Sequence, residues 1–177
     1  MRLMSTITAA LLLSLLLSVG TGAQHEDLAG TWIMVPEEST GPDDGRTDGI
    51  RTFIPVAEMH ITAHGDTLRL EHRAWDDGRG RRPEREWRYQ IWILDGQPHT
   101  DPADETVTFI CRREGTTLTV RRNQLVSMGF TSQTWSSRRV WRLIEGGGKL
   151  VVEEWLPRSP DSGPPQARLV YKKVRGD

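Results

Sequence analysis

Beyond residue 28, apolar side chains return at every second position in short runs, and the runs are cut by Gly, Asp and Pro clusters. A period of two puts alternate side chains on opposite faces of an extended chain, so each run predicts a strand with one dry and one wet face. Helical spacing, with apolar residues three and four apart, is nearly absent after the N-terminal segment. The pattern predicts nine strands, near 28–35, 56–64, 67–75, 85–94, 105–113, 116–123, 133–144, 149–156 and 167–174. Residues 36–50 and 157–166 have no usable period and predict long loops. Only one strand follows the second loop, so neither is a domain linker.

Three turns repeat a pattern, Gly65-Asp66-Thr67-Leu68, Gly115-Thr116-Thr117-Leu118 and Gly147-Gly148-Lys149-Leu150, and each supplies the glycine that a tight hairpin needs. Their registers are testable by the faces they assemble. A turn at Gly65-Asp66 pairs Ala63 with Leu68, Ile61 with Leu70 and Met59 with His72, leaving His64/Thr67, Thr62/Arg69 and His60/Glu71 on a polar face. A turn at Glu114-Gly115 pairs Cys111 with Leu118 and Phe109 with Val120. Around Glu145–Gly148, Leu143 meets Leu150, Trp141 meets Val152, and Arg139 meets Glu154 on the same apolar side.

Eight or nine strands in consecutive hairpins leave two bare edges unless the sheet closes. The expected fold is therefore all-β, a single antiparallel up-and-down barrel of 8–9 strands, with a β-sandwich as the alternative. Residues 1–23 carry Arg2, an apolar run from Ile7 to Val19 and the small residues Thr21-Gly22-Ala23. That layout predicts a signal peptide cleaved near Ala23 and an exported, periplasmic or secreted domain over 24–177. The apolar run is shorter than the roughly 20 residues that cross a bilayer, and no second such run follows, so the domain is not expected to span a membrane.

Cys111 is the single cysteine, so no internal disulfide is available to an exported chain. The formal net charge of −1 argues against a nucleic-acid binder. Aliphatic residues are scarce, but 7 Trp stand against 3 Phe and 2 Tyr. Such rings bury about 150–250 Å² each, so tryptophans can fill a core that few leucines build.

The first strand of the domain reads Leu28-Ala29-Gly30-Thr31-Trp32, followed by Pro36-Glu37-Glu38-Ser39, Gly65-Asp66-Thr67-Leu68, Asp95-Gly96-Gln97-Pro98, Glu105-Thr106-Val107 and Gly148-Lys149-Leu150. In this order, over most of 28–174, the chain resembles an uncharacterised group of exported bacterial lipocalin-like, calycin-type barrels with an N-terminal Gly-x-Trp. The resemblance implies a lipocalin-like barrel and no established activity. The chain departs from better-known calycins: it has no Thr-Asp-Tyr motif between late strands and no helix after Lys173.

Six residues are candidates for a ligand-binding site: Trp32, His72, Tyr89, Arg139, Trp141 and Glu154. An Arg139–Glu154 pair on an apolar face costs several kcal/mol of desolvation per ion, and a ligand carboxylate or phosphate on Arg139 would be a reason to keep it. A solvated pair at the barrel rim is the plainer reading. His72 and Tyr89 would add polar points to an apolar cavity, and Trp32, Trp87 and Trp141 would either line it or fill it. No metal site is expected, because His60 and His64 lie about 13 Å apart along one strand. No catalytic motif or cofactor loop is present, and Cys111 reads as a small core residue. The expected function is binding of a small apolar or amphipathic ligand in the barrel, without enzymatic activity. The alternative is an envelope structural or protein-interaction domain with a filled barrel, whose apolar patch would come from Trp75, Trp92 or Trp155.

Overall fold

The computed structural model describes residues 25–41, 56–74, 86–157 and 161–174. The signal-peptide segment, the loop beyond Gly41 and Trp75 lie outside the described residues. Among these residues ten strands run antiparallel in one sheet: β1 (Gly30–Met34), β2 (Val56–His64), β3 (Thr67–Ala74), β4 (Arg88–Ile93), β5 (Asp95–Asp101), β6 (Asp104–Glu114), β7 (Thr117–Met128), β8 (Thr131–Ile144), β9 (Lys149–Trp155) and β10 (Ala167–Val174). Among the described residues no helix is long and apolar enough to cross a membrane.

The strand order is β4-β3-β2-β1-β10-β9-β8-β7-β6-β5. Every sequential neighbour except β4–β5 pairs directly, and β10 returns to pair with β1, so the sheet curves into a nearly closed up-and-down barrel. Its two edges, β4 and β5, are consecutive in the chain and are joined through Leu94 alone, whose N–H donates to the Asp66 carbonyl across the β2–β3 turn (2.8 Å). Trp92 of β4 packs across the remaining seam, with its ring 6.0 Å from Phe109 of β6 and 5.0 Å from Trp141 of β8.

The β2–β3 and β8–β9 registers match the hairpin expectations pair for pair, including Met59–His72 and Arg139–Glu154. The β6–β7 register differs by two residues: Cys111 faces Val120 and Phe109 faces Arg122, because the turn residues are Gly115 and Thr116. Gly115 has φ +58°, a left-handed turn conformation that glycine takes without strain. A shift of two preserves both faces, so the same side chains stay inside.

The tenth strand, β5, reads DGQPHTD, a composition that predicts a turn. Its register along β6 is irregular between Asp95 and Pro98 and again at Asp101. It exists because β6 offers a bare edge, which tertiary pairing fills despite poor local propensity.

The interior is a continuous cluster around Trp32, Met59, Leu68, Trp92, Phe109, Leu118, Trp141, Leu150 and Tyr171. One end is capped. Leu28 is buried there, Trp32 donates its indole N–H to the Leu28 carbonyl (2.9 Å), and Arg113 holds Asp27 through two hydrogen bonds of 2.7 and 2.6 Å. Trp155 is not inside: it lies on the outer face under the Arg138 guanidinium (4.0 Å) and is nonetheless buried.

Trp32 is fully enclosed and anchors the cap, so its truncation leaves a cavity that the surrounding strands cannot close. Trp32→Ala is expected to lower unfolding free energy by about 3–5 kcal/mol. Urea unfolding followed by circular dichroism measures this, and a loss below about 1 kcal/mol would mean that the cap does not depend on the ring.

Candidate functional site

The barrel interior changes character along its axis. Below, at the capped end, inward positions are apolar. Toward the other end the same alternation brings in His72 of β3, Arg88 and Gln90 of β4, Arg122 of β7, Ser137 and Arg139 of β8, and Glu154 of β9. The polar layer follows from parity alone: Arg122 is two residues beyond inward Val120, and Arg139 is two before inward Trp141. This open end is the candidate site.

Arg139 Nη2 donates to Glu154 Oε1 at 3.0 Å. The Glu154 side chain is only 5% exposed and the Arg139 side chain 30%, so the pair sits at the boundary between core and mouth. Burial opposes the Arg139 charge, but Glu154 more than compensates and holds its pKa above the ordinary value. Beneath the pair lies a cavity of about 20 Å³ lined by Val56, Met59, Trp141, Val152 and Tyr171, room for about one water molecule. Tyr171 donates its hydroxyl to the Val56 carbonyl (3.1 Å), and burial raises its pKa. The Trp141 and Trp92 indole N–H groups have no acceptor among the described residues.

Arg122 makes no hydrogen bond or ion pair with a described residue. The carboxylates around it are otherwise engaged: Glu154 by Arg139, Asp101 by the Ala103 N–H (3.0 Å) and Asp104 by Thr106. Burial and the neighbouring Arg139 charge lower the Arg122 pKa, and the attraction of Asp104, Asp101 and Glu154 offsets this only in part. His72 is pushed down to about 4 by burial, then by Arg139 and Arg88, and is neutral near pH 7. Cys111 is buried, and burial, with a contribution from Asp95, raises its thiol to about 12, so it remains protonated. No cluster of three or more His, Cys, Asp or Glu side chains is placed to hold a metal ion among the described residues.

Of the six residues expected to form a site, Arg139, Glu154, Trp141 and His72 converge at this layer. Trp32 does not reach it, being sealed at the capped end. Tyr89 is a correction: it stands opposite Glu71 on the outer face and is 50% exposed. The larger apolar ring of Trp92 takes the inward parity of β4, which forces Tyr89 out. Trp87 is also exposed outside the barrel, where it meets the His60 ring edge-on and the Arg73 guanidinium lies over its face. Arg122, Arg88, Gln90 and Tyr171 were not among the expected residues. The alternation that places Leu118 and Val120 inside reaches Arg122 two residues on, so that signal was in the sequence.

A second, open depression of about 1110 Å³ lies outside the barrel along Ile33, Val35, Gly146–Gly148 and Lys172. Two further lysines line it: Lys149 is held by Glu38 and Glu145, and Lys173 donates to the Asp27 carbonyl (3.0 Å). No protein-family model matches this chain, and no curated protein is significantly similar to it.

Two outcomes follow from the buried layer. Arg139→Met or Glu154→Leu alone strands a charge and should cost about 3–5 kcal/mol, whereas the double substitution should recover most of it; additive losses in urea unfolding would contradict the pairing. His72 binds a proton more readily when unfolded, at about 6.5, than folded, at about 4. Stability should therefore be complete above pH 6.5 and fall as pH drops to 4, by about 2–3 kcal/mol. His72→Gln should flatten that slope in urea midpoints measured across this range.

Proposed function

We propose that the chain is an exported, lipocalin-like binding protein that holds a small amphipathic molecule at the open end of its barrel. The acidic group of that molecule sits on Arg122 and Arg139. The observation that carries this reading is Arg122, an inward, partly buried guanidinium without an ion-pair partner among the described residues, beside a second arginine and a neutral His72. A guanidinium fork matches a carboxylate or phosphate in plane, and a desolvated mouth strengthens that attraction. The deep core offers room for only about one water molecule. The apolar part of the ligand therefore lies above the polar layer, where β7 and β8 face inward with Val126 and Trp135. The charged, apolar and small-residue layout of residues 1–23 supports export.

The packed interior also favours a second reading, an envelope interaction domain without a small ligand. Its surface patch would not come from Trp92 or Trp155, which are buried.

Titration with dodecanoate, and with dodecanol as its uncharged counterpart, separates the two readings through tryptophan emission. Dodecanoate should perturb emission saturably, and Arg122→Gln should weaken it roughly tenfold to a hundredfold, the value of a charge-assisted hydrogen bond of about 1.5–3 kcal/mol. Dodecanol should be indifferent to the substitution. Absence of any saturable response would leave the interaction-domain reading in its place.

A further inference from the structure

The longest hairpin in the barrel outgrows its neighbours. The ladder from β6 ends at Gln124 of β7, and the ladder from β9 ends at Arg138 of β8. Beyond these points β7 and β8 pair only with each other, out to Met128–Thr131. Four further residues of β7 carry this two-stranded ribbon about 13 Å past the sheet.

The ribbon has an unusual composition for a projection into water. Residues 123–137, NQLVSMGFTSQTWSS, contain no charged side chain, although 27% of the chain is charged. Leu125, Met128 and Phe130 stand 51%, 56% and 109% exposed, with Phe130 at the tip beside Gly129. Solvated hairpin tips ordinarily carry charge and turn-forming polar residues, and exposed strand ends are guarded by lysine or other charges. Here the charge is withheld from the tip and concentrated at the base. Four arginines, Arg121, Arg122, Arg138 and Arg139, occupy adjacent rungs; Arg122 and Arg139 point into the mouth, and Arg121 and Arg138 face each other directly on the outer side. Like charges opposite one another destabilise a ladder. Asp161 offsets this at Arg121 (2.5 Å), and Arg138 lies over the Trp155 ring.

We propose that the β7–β8 ribbon docks on an anionic lipid bilayer, with Phe130, Met128 and Leu125 entering the boundary between headgroups and acyl chains and the outward arginines of the collar, Arg121 and Arg138, meeting lipid phosphates. The order along the ribbon matches the order of the bilayer surface: apolar tip, uncharged polar shaft of Ser, Thr and Gln, Trp135 near the base, then cationic collar. Indole rings favour that interfacial depth, and each arginine near an anionic surface adds attraction. The outer edges of the ribbon have no strand partner past Gln124 and Arg138 among the described residues. Bare backbone groups are costly in hydrocarbon, so the ribbon enters only to the interface and does not span. This inference stands on residues other than Arg122 and Arg139, which carry the ligand reading, and does not require a ligand.

Flotation of the full chain with vesicles of phosphatidylcholine containing phosphatidylglycerol, against pure phosphatidylcholine, tests the assignment. The protein should float with the anionic vesicles and be released by added salt, which screens the collar. Phe130→Ser, which removes apolar surface without adding charge, should cut partitioning by about tenfold or more with the thermal melt unchanged. Arg121→Gln should reduce the preference for anionic vesicles. Failure of the wild-type chain to float, or equal flotation of Phe130→Ser, overturns the proposal. A sedimentation-velocity dimer of the free protein that Phe130→Ser dissolves also overturns it, by assigning the tip to a second copy.

Discussion

The barrel depends on Trp92. Its strand is one of the two edges of a ten-stranded sheet, and an edge left open would expose both backbone groups and core. The chain passes from that edge to the other through one residue, Leu94, which brings β4 and β5 side by side without making them pair as a ladder. Trp92 closes what hydrogen bonds do not: its ring reaches Phe109 and Trp141 from across the seam. Area buried by one large ring substitutes for a missing strand pair. The same ring sets the parity of β4, which sends Tyr89 outside and Arg88 and Gln90 inward.

From that closed interior the two ends acquire opposite characters. The Arg113–Asp27 clasp, the Leu28 plug and the Trp32 indole seal one end, with the Arg113 and Trp32 donors satisfied. At the other end the strands simply continue, and their inward positions become polar. Glu154 tolerates burial because Arg139 reaches it, whereas Arg122 has no equivalent partner among the described residues. A charge brought halfway out of water and left unpaired is an expense that a ligand anion would offset. The ribbon that bears Arg122 and Arg139 also extends beyond the sheet, so mouth and projection belong to one hairpin.

The faces of the hairpins were legible because alternation is local: Met59–His72 and Arg139–Glu154 follow from adjacent strands and a short turn. Arg122 was legible by the same rule, two residues past Val120. Tyr89 was misplaced because β3 and β4 are joined by a long segment rather than a tight turn, so no local geometry transmits the register from one to the other. The ribbon was legible only in part: the alternation gave β8 from residue 133 but ended β7 at 123. Beyond residue 123 both faces of β7 mix apolar and uncharged polar side chains, so no wet and dry face alternates there.

By itself the sequence determined the strand period, the dry and wet faces, the turns at Gly65, Gly115 and Gly147, and the pairing of Arg139 with Glu154, though not its burial, all set by backbone geometry over a few residues. Only the tertiary structure decided that DGQPHTD is a strand, that Trp92 spans the seam, and that Arg122 stands at an open mouth without an ion-pair partner among the described residues. These depend on which residues meet across the barrel. Closure brings together side chains far apart in the chain, and no local period encodes that meeting.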